Sequence, residues 1–295
     1  MGLEEALLSG QTVITTELAP PKGTDLSTFR ESLSHLRGQV DAVNVTDFQS
    51  AVVRASSLSL CHLLQDEGFE PVLQITGRDR NRIAIQGELL SAALLGVKNV
   101  LAITGDHTEI GDHPEALPVF DLDAVTILHT IRTLNQGTDL NGNALKGSPS
   151  FFPGAVVTPF YEPLELQVLK MESKIAAGAQ FFQTQAVFDL ETMERFREAT
   201  LHLQGVKILA GIIPLKSAGM ARYMNKHVPG IHIAEEIIAR IGAAAEPSAE
   251  GVEIAGELMK KLLAAGLCDG FHIMTLGKEE LLPKILASAG ITRKQ

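Results

Sequence analysis

The chain has 295 residues, 45% hydrophobic and 20% charged, enough for a soluble protein with a large core. With 35 acidic against 25 basic residues the formal charge is −10, which argues against a nucleic-acid partner. No apolar run approaches the ~20 residues of a membrane span.

The first ten residues, MGLEEALLSG, carry two acids and no basic residue, unlike a secretory leader. Strands are expected over Val13–Leu18, Ala42–Thr46, Pro71–Thr76, Asn99–Thr104, Gly154–Thr158, Phe181–Gln185, Lys207–Ile213 and Gly270–Leu276, each a short run of mostly apolar residues. Between them, helical spacing of apolar residues marks Leu26–Leu36, Ala51–Gln65, Arg82–Leu95, Leu122–Leu134, Leu164–Ala177, Leu190–Ala199, Ser217–Lys226 and Val252–Ala265. A last helix is expected over Lys278–Ala289. Gly105–Pro118 and Gln136–Pro153 read as long loops, the second as a mobile one.

Eight strand–helix units in this length point to a parallel (β/α)8 TIM barrel forming a single domain over residues 1–295. A doubly wound open sheet is the alternative, but no G-x-G-x-x-G follows the first strand. Cys61 and Cys268 lie far apart without metal-ligand spacing and read as reduced thiols of a cytoplasmic protein.

In such a barrel chemistry gathers at the C-terminal strand ends. The polar residues there are Thr16, Glu17, Thr46, Asp47, Gln74, Thr76, Arg78, Asp79, Thr104, Gly105 and Asp106, then Thr158, Gln183, Gln185, Lys216, Thr275 and Lys278. Glu17, Asp106 and Gln185 are expected to converge. Each also has a plainer reading. Glu17 could be a solvated strand end or a partner of Arg78, Asp106 a turn cap, and Gln185 a satisfied core amide. A carboxyl walled by apolar groups would instead hold its proton and serve as a general acid. The arginines of TGRDRNR, Thr76–Arg82, could grip phosphate or pair with neighbouring aspartates. His107, Asp112 and His113 lack a recognised metal spacing, and no metal is expected.

The ordered segments VITTELAPPKG, VLQITGRDRNRIAIQGELLSAALLGVKNVLAITGDH, KIAAGAQFFQTQAVFD, LAGIIPL and GLCDGFHIMTLG resemble the methylenetetrahydrofolate reductase family, bacterial catalytic-domain type. The likeness runs from about Val13 to the last helix. It implies a flavin-bearing barrel, with FAD or FMN, that reduces 5,10-methylenetetrahydrofolate to 5-methyltetrahydrofolate in one-carbon metabolism and methionine biosynthesis. By resemblance Glu17 is the proton donor to folate N10, and the Pro20–Pro21 pair stiffens the turn that aims it. Asp106 falls beside flavin and pterin, and Gln185 at the pterin. Lys278 stands near the folate's acidic tail. Thr46, Gln74, Thr104, Gly105, Phe120, Thr158 and Lys174 fall on the flavin side, with Lys174 toward the phosphate arm.

The chain departs from some relatives on that side. Gln74 replaces a histidine, Thr104 an arginine, Thr158 a tyrosine and Ser173 a basic residue, and Pro159–Glu165 is short. Ala218 replaces an aromatic that several NADH-using relatives carry. Electrons could therefore come from NAD(P)H or from a partner protein. A homo-oligomer is expected. The alternatives are a flavin-free pterin-binding methyltransferase and a non-catalytic docking subunit of an electron-transfer complex.

Overall fold

All eight expected strands form, and they pair in chain order. The computed structural model describes residues 1–293. Its strands are β1 (Val13–Leu18), β2 (Ala42–Val45), β3 (Pro71–Thr76), β4 (Asn99–Ile103), β5 (Phe152–Val157), β6 (Phe181–Ala186), β7 (Lys207–Ile212) and β8 (Gly270–Ile273). Each is parallel to its neighbour, and β8 returns to β1 through Thr15↔His272, closing the barrel. Helices surround it: α1 (Leu3–Leu8), α2 (Ser27–Leu36), α3 (Ser57–Asp66), α4 (Arg82–Leu94), α5 (Ala124–Asn135), α6 (Leu164–Ala177), α7 (Leu190–Ala199), α8 (Ala218–His227), α9 (Glu235–Ala243), α10 (Pro247–Ala264) and α11 (Leu282–Ser288). None of them is long and apolar enough to cross a membrane.

Strand alternation sorts the side chains onto two faces. Outward residues such as Ile14, Val43, Leu73, Val100, Ala155, Phe182, Ile208 and Phe271 pack under the helices. Inward residues form layers. The floor is apolar: Val13, Ala42, Val72, Leu101, Phe152, Phe181 and Leu209. The Phe181 ring lies against Gly154, where an added Cβ would come within 2.2 Å of it, so a side chain at 154 would evict the ring. Above the floor sits a polar layer of Thr15, Asn44, Gln183 and His272, and above that the mouth.

The helices start where side chains can satisfy free N–H groups. Asn81 accepts from Ile83 N and Ala84 N at the head of α4, and Asp123 forms a capping box with Thr126 at the head of α5.

Several expectations need correction. α1 was not foreseen, yet its Leu3, Ala6 and Leu7 seal the barrel floor. α9 was not foreseen either and makes three helices, with α8 and α10, between β7 and β8. β5 begins at Phe152 rather than Gly154. β6 starts only at Phe181, so the N–H that Pro153 lacks interrupts no ladder. The helix expected from Ala51 begins at Ser57, because Phe48, Ser50 and Ala51 take left-handed backbone with φ of 47°, 57° and 57°. The stretch 136–153 is tied down rather than slack. Asp139 accepts from Asn141 N and Asn143 N, and Leu140 N donates to Gln86 Oε1.

Candidate active site

The mouth of the barrel opens into a cavity of about 650 Å³. Glu17, Thr46, Gln74, Thr104, Gly105, Asp106 and Lys174 line it, brought there by β1 to β4 and α6. A second cavity, about 770 Å³, lies over β1 and the β8 loop, between Pro20–Asp25, Arg54, Leu276, Gly277 and Glu279. Glu17 belongs to both. It is half-buried, and its Oε2 lies 3.7 Å from His272 Nε2. Arg78 is not its partner.

The arginines of TGRDRNR are spent on carboxylates. Arg78, 2% exposed, gives Nε and Nη2 to Asp79 at 2.9 and 2.7 Å, with further bonds to the Asp106 and Phe48 carbonyls. Arg80 grips both oxygens of Asp47 at 2.7 and 3.0 Å, and Arg82 grips Asp121. Asp47 also accepts from Thr76 N and Thr76 Oγ1 at 2.9 and 3.0 Å. The segment therefore follows its plainer reading: it builds the cavity wall and leaves no guanidinium free for phosphate.

Free cationic character comes from α6. Lys170 and Lys174 stand one turn apart on the cavity side. Lys174 Nζ donates to the Val156 carbonyl. Burial first, and then the charge of Lys170, bring its ammonium down to about 8. Such a site favours an anion, which would restore the charge.

One further feature asks for a ligand. Thr46 Oγ1 is buried in the cavity wall without a hydrogen-bond partner among the described residues. Gly105 has φ +91°, and a Cβ there would meet Thr76 Cβ at 3.1 Å and Arg78 Cβ at 3.2 Å, so backbone and packing both call for glycine at this point of the wall.

Other expected residues stand apart. Gln185 is half-buried at the end of β6, its Oε1 accepting from Ala186 N, and it lines neither cavity. Thr158 packs where a Cβ on Gly230 would fall. Phe120 is exposed and stacks on His107 at 6.3 Å. Lys278 is exposed, 3.6 Å from Glu280, and lines neither cavity, although its neighbours Gly277 and Glu279 line the second. His113 pairs with Asp112 on the surface.

Sequence reasoning missed Lys170, Asp123, the Phe48–Ser50 turn and Arg54 as lining groups. The i, i+4 spacing of Lys170 and Lys174 could have shown the first. Of the polar layer beneath Glu17 only Gln183 was named, and as a mouth residue rather than a buried one; Thr15, Asn44 and His272 were missed, although the parity of Thr15 and Glu17 on β1 pointed to them.

Residues 2–290 match the family model described as Methylenetetrahydrofolate reductase. The chain is 24% identical over 302 residues to the 5,10-methylenetetrahydrofolate reductase of Pectobacterium carotovorum subsp. carotovorum, covering 97% of this chain and 93% of that protein. Over 313 residues it is 24% identical to Methylenetetrahydrofolate reductase 2 of Schizosaccharomyces pombe, covering 99% of this chain but 48% of that longer protein. Among solved structures, an uncharacterized protein from Clostridium thermocellum that binds two copies of 5-methyl-5,6,7,8-tetrahydrofolic acid superposes with a TM-score of 0.61 at 18% identity, over 97% of both chains. An EDTA monooxygenase from Chelativorans superposes with a TM-score of 0.57 at 10% identity, over 97% of this chain and 96% of that one. Both structural likenesses show the barrel fold.

Proposed function

Because the chain belongs to the methylenetetrahydrofolate reductase family, we propose that its barrel reduces 5,10-methylenetetrahydrofolate to 5-methyltetrahydrofolate with a bound flavin. The observation that carries this reading is the place of Glu17, a carboxyl where two large cavities meet, with Asp106 across the first. The first cavity suits a flavin. Thr46 Oγ1 offers an unspent hydroxyl, and Lys170 and Lys174 await an anionic arm. A flavin bound there supplies the hydride.

The residues do the rest. Glu17 gives a proton to N10 of the folate, which opens the five-membered ring and leaves an electrophilic carbon to take the hydride. Asp106 accepts from the pterin's amino and ring N–H groups, and Gln185 turns from Ala186 N to the same ring. The folate tail runs toward the second cavity. There the buried Arg54 Nε has no partner among the described residues, and Lys278 follows Gly277 of the cavity wall. Thr46, Gln74, Thr104, Gly105 and Lys174 hold the flavin, while Phe120 and Thr158 lie outside its cavity as the loops stand.

Ala218 starts α8 with no ring to stack on a nicotinamide. This supports a protein rather than NAD(P)H as electron donor. The test is a visible spectrum of the purified protein, then anaerobic 5-methyltetrahydrofolate and, separately, NADH. A flavin band bleached by the folate supports the reduction run in reverse. Bleaching by NADH as well removes the need for a protein donor. A protein that takes up neither FAD nor FMN sinks the reading and favours a flavin-free methyltransferase.

A further inference from the structure

The polar layer below Glu17 has no part in the reaction as proposed above. Thr15, Asn44, Gln183 and His272 point into the barrel, none more than 3% exposed. Asn44 Nδ2 donates to Gln183 Oε1 at 2.8 Å, and Gln183 Nε2 donates back to Asn44 Oδ1 at 3.1 Å. The second hydrogen of Gln183 Nε2 goes to Thr15 Oγ1 at 3.4 Å. Thr15 Oγ1 is 2.9 Å from His272 Nδ1 and 3.5 Å from the Phe271 carbonyl.

The shortest contact of the Thr15 hydroxyl, 2.9 Å to His272 Nδ1, is the one that assigns the tautomer here. Thr15 receives one from Gln183 and has one to give. The nearer acceptor is His272 Nδ1 at 2.9 Å, against 3.5 Å for the Phe271 carbonyl. With Nδ1 accepting, the imidazole carries its single hydrogen on Nε2, and that nitrogen faces Glu17 Oε2 at 3.7 Å.

We propose that His272 is a positioning residue: a fixed N–H donor that meets the negative charge developing on Glu17 as that acid releases its proton. The proposal rests on Glu17 being the proton donor. At 3.7 Å the contact is longer than a hydrogen bond. Once charge appears, a side-chain movement of under about one ångström brings the carboxylate into charge-assisted range. An interaction that strengthens as the proton leaves lowers the barrier to its leaving. The proton passes from Glu17 to the folate nitrogen, and no bond to His272 forms or breaks.

Most other charged groups around Glu17 are already committed. In the first cavity Arg78 holds Asp79, Asp47 holds Arg80, Asp123 caps α5, Lys174 is bonded to Val156, and Lys170 faces the Tyr161 ring. In the second, Lys22 holds Asp112, Arg54 bonds the Pro20 carbonyl, Asp25 takes Ser27 N, and Glu279 is tied to Ser32 and Thr275. Among the described residues this leaves Asp106, the uncompensated ammoniums of Lys170 and Lys174, and His272, which alone of the basic groups lies within 4 Å of the Glu17 carboxyl.

Selective ¹⁵N-histidine labelling of the whole chain reads the tautomer without turnover, with His272→Gln assigning the signal. The expected result at neutral pH is a bare Nδ1 and a protonated Nε2. Thr15→Val, nearly the same shape, should mix the tautomers, and Thr15→Ser should restore the native one. A native ring protonated on Nδ1, or on both nitrogens, overturns the proposal. The second measurement is the flavin–folate half-reaction against pH. In Thr15→Val and His272→Phe the rate should fall, by about a hundredfold in the latter. KM should hold, and the limb that follows Glu17 should move to higher pH. Dithionite reduction of the flavin should be unchanged. Loss that is equal at every pH, with KM raised, marks a merely structural role and overturns it. A native chain that binds flavin yet never reacts with the folate fells the proposed reaction, and the role of His272 with it, even where the Nε2–H tautomer is found.

Discussion

Lys174 Nζ donates to the Val156 carbonyl, 2.6 Å away, so a helix lysine is turned inward and bonded to the strand beside it. Its folded-state value of about 8 lies below that of an unfolded lysine. Below about pH 8 the ammonium is charged in both states, and burying it costs the folded chain stability. As pH rises beyond that point the folded chain sheds the proton first and recovers. Lys174→Met is therefore expected to raise the melting temperature of the flavin-free protein below about pH 8, with the gap closing at higher pH. The same change should weaken flavin binding and flatten its dependence on pH. Thermal melts and fluorescence titrations across this range check both.

Glu17→Gln keeps the size of the side chain and removes the acid. Flavin binding should be unchanged. The half-reaction with folate should slow by about 10²–10⁴-fold, the usual worth of a positioned acid. Stopped-flow absorbance of the flavin band measures it.

Gly105→Ala places a Cβ against Thr76 and Arg78 at a φ of +91°. The strained backbone should cost about 1–2 kcal/mol, and flavin affinity should fall because the loop that lines the cavity is displaced. Urea unfolding and a flavin titration separate the two effects.

Asp47 is the hub of the cavity wall, with its side chain wholly buried and bonded to Thr76 and Arg80. Asp47→Asn leaves the Arg80 charge without its partner. The expected loss is about 3–5 kcal/mol, as for other broken buried pairs. Asp47→Asn combined with Arg80→Met should recover part of it, and a double-mutant cycle in urea decides the matter.

The floor of the barrel gives a prediction away from the chemistry. Leu7 on α1 is 1% exposed against the inward-facing apolar layer. Leu7→Ala should cost about 2–5 kcal/mol. Denaturant unfolding tests it.

Much of the barrel was legible because strand alternation and bounding glycines and prolines are local signals. What escaped was set by distant packing. α1 is six residues long with two acids, and its leucines have meaning only against a floor assembled from seven strands. Pro153 reads as a breaker until β6 is seen to begin later than β5. Among the residues lining the first cavity, Glu17, Asp106 and Gly105 stood at or just past strand ends and were visible as such. The pairing of Arg80 with Asp47 joins residues 33 apart in the chain, so spacing alone could not choose it over phosphate. His272 lay in plain sight as an inward residue of β8, but its partner Thr15 is 257 positions away.

The sealed floor has a kinetic consequence. With α1 stopping the lower end, the polar layer exchanges hydrogen with solvent chiefly by way of the mouth, past Glu17. Deuterium from the solvent should then reach the His272 ring nitrogen slowly while a ligand covers Glu17, and faster once it leaves. The imidazole becomes a clock for how often the mouth stands open.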